Sequence, residues 1–235
     1  MGFSGTNGDG DFNALITKLS AIGYYKELFK FVYGTEEITE IKIQNALAQF
    51  IRSIQSFDSK YDAGRALAAN DGANFSNFTA QENTGKNLFL TPPTFNASGV
   101  RTSGGLGCAG CHRVPEFDID PNSLSNGIGG SIAGGADFTN TRAPSLRDLV
   151  KLDETTNGPM MHTGIITTLQ AAIGHYGNLT NAAANNTNLD PRLKPNGFGQ
   201  QLNLTATEVN AVIAFLKTLS GTDVYTNTRW SNPFN

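Results

Sequence analysis

The sequence predicts a mostly α protein with long irregular loops. Three observations predict it. Over the first 62 residues apolar side chains recur at spacings of three and four, the period of a helix with one buried face. Two strings, Thr79-Ala80-Gln81-Glu82 and Thr205-Ala206-Thr207-Glu208, carry the Thr-x-x-Glu pattern in which each side chain satisfies an orphan amide at a helix start. Between them, tracts 91–107 and 121–137 are rich in Gly, Ser and Asn, a composition that marks loops.

Taken in order, Phe12, Leu15, Ile16 and Leu19 share the face of a first helix. A second carries Tyr25, Leu28, Phe29 and Val32 and stops at Gly34; a third starts at Thr39 and runs through Ile43, Leu47, Phe50, Ile51 and Ile54. From Ser56 to Asn77 the chain turns polar and suits a connection better than a core element. A helix over about 80–90 follows the first capping box. The second introduces a helix with Val209, Val212, Ile213 and Leu216 on one face and Gly221 at its stop. This reading divides the chain into a helical connecting segment, 1–78, a domain over 79–221 and a tail, 222–235. The two loop tracts are long for structureless segments in a compact domain, and a large buried cofactor would organise them.

A chain of 235 residues can bury a sizeable core. Its net charge of -3 offers no basic surface for nucleic acid or an anionic membrane, and no apolar run is long enough to span a bilayer. The most informative residues are the rarest. Of two cysteines and three histidines, three fall in Cys108-Ala109-Gly110-Cys111-His112.

With no other cysteine, that pair is a redox couple, half a metal site or a haem attachment site. A Cys-x-x-Cys-His spacing lets two thioethers reach adjacent porphyrin vinyl groups while the histidine swings under the ring to the iron. A redox couple wants a preceding strand, and Thr102 to Gly107 is not one. Zinc needs two further ligands, and His162 and His175 stand too far apart for the usual spacing. One covalent haem c is therefore the favoured cofactor. Helix, motif, then a final helix ending Phe215 to Gly221 looks like a class I cytochrome c domain.

The sixth ligand stays open among Met160, Met161, His162, His175 and Tyr176, or an open position. On a helix starting near Thr167, Leu169, Ala172, Ile173 and Tyr176 form a stripe with His175 off its centre. By itself that makes Tyr176 a core aromatic with its hydroxyl on a carbonyl, and His175 a solvent-facing histidine or one that supports the ligands. Met161 and His162 precede Gly164 in a turn, near the haem or plugging the loop.

Several strings together resemble the bacterial dihaem cytochrome c peroxidase/MauG family. They are Thr141-Arg142-Ala143-Pro144-Ser145-Leu146-Arg147-Asp148, Gly158-Pro159-Met160-Met161-His162-Thr163-Gly164 and Phe215 to Gly221. Upstream, Tyr25 to Gly34, Ile38 to Phe50 and Ser59 to Ala63 resemble the helical stretch before the family's second haem. The resemblance implies two haem domains in a complete enzyme: a peroxidatic one, and a C-terminal one that passes electrons to it. This chain is similar to the second, with no catalytic residue of its own assigned. The family's Glu-Met-Gly glutamate, its first haem motif and its bridging tryptophan have no counterpart, since the sequence opens Met1-Gly2. Haem is attached outside the cytoplasm and no signal segment is recognisable, so a processed, split or truncated chain is expected.

The resemblance also implies a distal ligand fourteen residues after His162, at Tyr176, where ordinary peroxidases have methionine and MauG-like members tyrosine. Two departures follow. Leu106 stands where MauG carries a tryptophan two residues before the first haem cysteine, which argues against action on a protein substrate. Asn157 replaces a threonine whose carbonyl binds an interdomain calcium in relatives, so that Asn157 and Pro159 are left as candidate calcium carbonyls.

The expected function is electron transfer from a small periplasmic donor to a peroxidatic haem on a second domain or chain, which reduces hydrogen peroxide. The alternatives are a single-haem electron carrier without catalysis and a MauG-like oxidase with a His/Tyr-ligated haem. Location is periplasmic or extracellular, and a homodimer is admitted, with Trp230 as a surface plug or dimer contact. Asn-x-Ser/Thr triplets such as Asn74 and Asn203 read as ordinary loop composition.

Overall fold

The local start signals reappear as helix N-termini in the structure, a computed structural model that describes residues 11–131, 134–139 and 145–232. Met1, Gly2 and the first four residues of the Thr141 string lie outside them. The chain forms two compact units that divide between Gln55 and Ser56.

The first unit holds α1 (Phe12–Ser20), α2 (Gly23–Tyr33) and α3 (Glu40–Ser53). Asp11 caps α1 by accepting from the amides of Asn13 and Ala14, and Thr39 caps α3 through Lys42 N. As the sequence predicts, α2 stops at Gly34, whose φ of 73° is one that glycine adopts without steric cost. Burial is sparse. No residue of α1 or α2 is buried, and α3 buries Ile43.

The second unit starts inside the stretch expected to be a connection. Ser59 opens α4 (Lys60–Leu67) with a capping box closed by Asp62, and Tyr61 and Phe75 are each 1% exposed in the core. Composition misleads here because two aromatic anchors suffice to bury an otherwise polar segment. Residues 56–78 therefore fold with the second unit, not with the leading helices.

Both predicted capping boxes are present, at Thr79 for α5 (Ala80–Leu90) and at Thr205 for α8 (Ala206–Lys217). The two helices pack closely at Gly85, where an added Cβ would stand 1.9 Å from the Ala211 carbonyl oxygen. The α8 helix ends with Thr218 as its cap rather than at Gly221. Gly221 is instead held against Asp58, whose carboxylate a Cβ there would strike at 2.0 Å. Tyr61, Phe89, Phe117 and Phe215 centre the core, with Tyr61 edge-on to Phe117 at 4.9 Å and Phe89 5.3 Å from Phe215.

The tract 91–107 is partly ordered by the chain itself. Strands β1 (Pro93–Phe95) and β2 (Arg101–Gly104) pair antiparallel, Pro93 opposite Gly104, so that Thr102 to Gly104, read from the sequence as no strand, form a short one before the cysteine motif. A second small pair joins β3 (His112–Arg113) to β4 (Asp118–Ile119). In the tract 121–137 bridges link Ser125 to Leu189 and Gly130 to Ala136. After these come α6 (Leu169–Gly177), capped by Thr168, α7 (Thr180–Asn185) and, in the tail, α9 (Asp223–Thr226).

Candidate functional site

Cys108 to Gly110 form a 3-10 turn closed by the Cys111 amide on Cys108 O at 3.1 Å. The turn is docked on the end of α5, where Leu106 N donates to Leu88 O and Gly107 N to Thr91 O. Both thiols are free and partly buried. Burial pushes Cys108 up to about 12, and burial also raises Cys111, with Arg192 opposing.

His112 follows at the start of β3. Its Nδ1 lies 3.3 Å from the carbonyl of Phe117, a residue with φ of 54° and no exposed surface. A carbonyl accepts only, so Nδ1 carries the proton and Nε2 keeps its lone pair. Burial lowers the His112 pKa and favours this neutral form. A ring fixed through Nδ1 with a basic Nε2 is what an iron-ligating histidine needs.

Tyr176 lies on α6, whose C-terminal turn is pinned by Gln200 Nε2 on Tyr176 O at 2.7 Å and Leu202 N on Gly177 O at 2.8 Å. Burial drives its phenol up to about 12, a side-chain hydrogen bond with Asn126 opposes this, and Cys111 and Cys108 add to the rise. That coupling reports that the tyrosine and both cysteines share one neighbourhood.

The other candidates are occupied. His175 Nε2 donates to Asn126 O at 2.9 Å, and His162 Nε2 to Gly130 O at 2.7 Å. Met161, at φ 65°, accepts from Asn126 Nδ2 through its sulfur at 3.2 Å. Met160 is partly buried against the core. Asn126 thus gathers Tyr176, His175 and Met161, a role with no local signal in the sequence.

Leu106 is 6% exposed and fills the core. Asn157 is exposed and spends its amide on Asp148 O and the Tyr225 hydroxyl, both at 3.1 Å, and Pro159 is exposed as well. Among the described residues no group of three or more His, Cys, Asp and Glu side chains is placed to hold a metal ion.

A second residue lacking any local signal is Arg192. Its guanidinium reaches Gly110 O, Asp120 Oδ2, Ser123 Oγ and both Asp190 oxygens. The Asp190-Pro191 start of its 3-10 turn is legible; the reach to a loop 82 positions away is not. The donor set fits a covalently held haem: two protonated thiols, a neutral imidazole with Nε2 available, and a phenol in the neighbourhood of the thiols.

The sequence model of the di-haem cytochrome c peroxidase family matches residues 4–70. The methylamine utilization protein MauG of Methylophilus methylotrophus is 26% identical over 219 residues, 90% of this chain and 56% of that protein. The cytochrome c551 peroxidase of Nitrosomonas europaea is 27% identical over 217 residues, 86% of this chain and 51% of that one. The chain thus spans about half the length of the curated relatives it matches. In fold it resembles the crystal structure of a MauG-like protein associated with microbial copper homeostasis, with a TM-score of 0.60 and 23% identity over 95% of this chain and 66% of that one.

Proposed function

Because this chain belongs to the dihaem cytochrome c peroxidase and MauG family, we propose that it is the electron-transfer haem domain of a peroxidase-type oxidoreductase. The observation that carries the reading is His112, whose Nδ1 is anchored on Phe117 O directly after the two cysteines. Haem c supplies reversible one-electron chemistry at iron. Cys108 and Cys111 would hold it by thioethers, and His112 Nε2 and Tyr176 Oη would ligate the iron.

A phenol in this buried site keeps its proton, so Tyr176 would ligate as phenolate only where the metal's charge outweighs burial. An anionic oxygen ligand favours the ferric state, which makes this a low-potential haem. Electrons would come from a small periplasmic donor and pass to a peroxidatic haem on another domain or chain. Tyr176 also favours a second reading, a MauG-like oxidase, against which Leu106 stands. A calcium on the Asn157 and Pro159 carbonyls, and a homodimer, are compatible with either. No helix among the described residues is long and apolar enough to cross a membrane.

The test is a haem count per polypeptide on native, unfractionated material with an assay of peroxide turnover. Two haems in one chain or one assembly, with turnover, support the reading. A single haem on a lone chain without turnover would mean an electron carrier.

A further inference from the structure

Phe117 holds a backbone conformation that its bulky side chain disfavours. Its φ of 54° lies in the left-handed region, which such residues keep only where the surroundings impose it. The ring is fully buried, edge-on to Tyr61 and Phe89, and the carbonyl is the acceptor for His112 Nδ1. A segment distant in sequence imposes this arrangement. Three consecutive carbonyls accept from three consecutive residues: Arg147 Nη2 donates to Pro115 O at 2.7 Å, Ser145 Oγ to Glu116 O, and Leu146 N to Phe117 O at 3.1 Å. A carbonyl oxygen has two lone pairs, so Leu146 N and His112 Nδ1 can share it. Arg147 anchors the segment. Its side chain is 7% exposed, pairs with both Asp62 oxygens, donates to Ser56 O at 2.6 Å and stands 4.4 Å over the Phe57 ring. Only a planar fork with several donors makes these contacts at once; a lysine ammonium keeps the charge but not the fork.

We propose that Ser145, Leu146 and Arg147 form a clamp that fixes the Phe117 carbonyl and, through it, sets how strongly His112 Nε2 donates to the haem iron, with Arg147 as the positioning residue. This rests on the functional reading above, in which His112 is an iron ligand. A hydrogen bond at Nδ1 makes Nε2 the better donor, and a better donor stabilises ferric iron. The clamp acts on the length and direction of that bond. With one of its donors lost, the turn from Arg113 to Phe117 relaxes from its strained φ, the carbonyl moves away from His112, and Nε2 donates less. The midpoint potential then rises.

The experiment is potentiometric titration of the native holoprotein and of two variants. Arg147→Lys keeps the positive charge beside the turn, so that position and not charge is tested. Ser145→Ala removes the donor to Glu116 O with no change of charge, and serves alone should Arg147→Lys not fold. A potential above that of the native protein in either variant, with the haem on Cys108 and Cys111 retained, supports the clamp. An unchanged or lower potential in every variant that folds would overturn it and leave the haem reading standing, because a purely structural brace would cost stability without moving the potential in this direction. His112→Ala separates the two failures. If that change leaves the electron paramagnetic resonance spectrum of the ferric haem unaltered, or if the native protein carries no haem on Cys108 and Cys111, the functional reading fails and the clamp with it.

Discussion

The guanidinium of Arg192 donates to the carbonyl of Gly110, inside the Cys108 to His112 loop and 82 residues earlier in the chain. The same group pairs with Asp190 at 2.7 Å and Asp120 at 3.1 Å, carboxylates whose side chains are 2% and 6% exposed. Arg192 thus converts two buried negative charges into a brace for the haem-motif loop.

Arg192→Met should therefore cost about 2 kcal/mol, less than the roughly 3–5 kcal/mol of stranding a fully buried charge, because the arginine is itself a third exposed and Asp120 keeps its pair with Arg113. Denaturant unfolding of the holoprotein measures it. A loss below about 0.5 kcal/mol would show that solvent replaces the brace.

Gly85→Ala should be far more damaging than its chemistry suggests. The added methyl meets the Ala211 carbonyl oxygen at 1.9 Å and Phe215 Cβ at 2.9 Å, both on the facing helix, and forced overpacking costs about 3 kcal/mol. Gly23→Ala is the matched control, with nothing within 4 Å, and should be neutral or gain about 0.5 kcal/mol by restricting the unfolded chain. Thermal unfolding of the pair separates packing from propensity.

Asp62 ties α4 to the Ser145–Asp148 segment through Arg147, with two contacts at 2.9 Å. Burial raises its carboxyl, but hydrogen bonds from Arg147 and Ser59 and the arginine's charge together hold it below the ordinary value. A depressed carboxylate stabilises the fold above its unfolded pKa, and that stability is lost as pH falls through the folded one. Acid should thus weaken the protein from about pH 4 downwards. Asp62→Asn should flatten that part of the stability profile and lower stability at neutral pH by about 1–2 kcal/mol. An unchanged acid limb would assign the effect to other carboxylates.

If Tyr176 ligates the haem, Tyr176→Met should raise the midpoint potential by on the order of 100 mV or more, because a thioether stabilises ferrous iron and a phenolate ferric. Potentiometric titration with the optical spectrum of each state reads this directly. An unchanged potential and spectrum would remove Tyr176 from the iron and return it to the core.

Asn126→Ala removes the amide that reaches Met161 Sδ but leaves the backbone carbonyl on which His175 donates. A stability loss of about 1 kcal/mol is expected, along with altered absorption of the haem if the Asn126 contact to Tyr176 shapes its ligation. Stability loss with an unaltered spectrum would make Asn126 a loop brace alone.

Much of this protein is written in short-range signals. Thr79 with Glu82, and Thr205 with Glu208, start their helices because each box closes within one turn. Gly34 ends α2 through its own φ, and the motif at Cys108, Cys111 and His112 is contiguous. None of these needs a distant partner, so the sequence by itself determined them. The polar-looking stretch 56–78 became core only because Tyr61, with Phe75 packed against it, found Phe117 and Phe215 from far along the chain. The periodicity of α3 predicts a buried stripe, yet burial needs a surface to lie against, and Leu47 and Phe50 remain exposed. Asn126, Arg192 and the Phe117 carbonyl carry no signature because each acts through a neighbour that only tertiary folding supplies. Local sequence fixes dihedrals and caps within a few residues, whereas which polar group meets which depends on loop closure over tens of residues, and that only the folded chain decides.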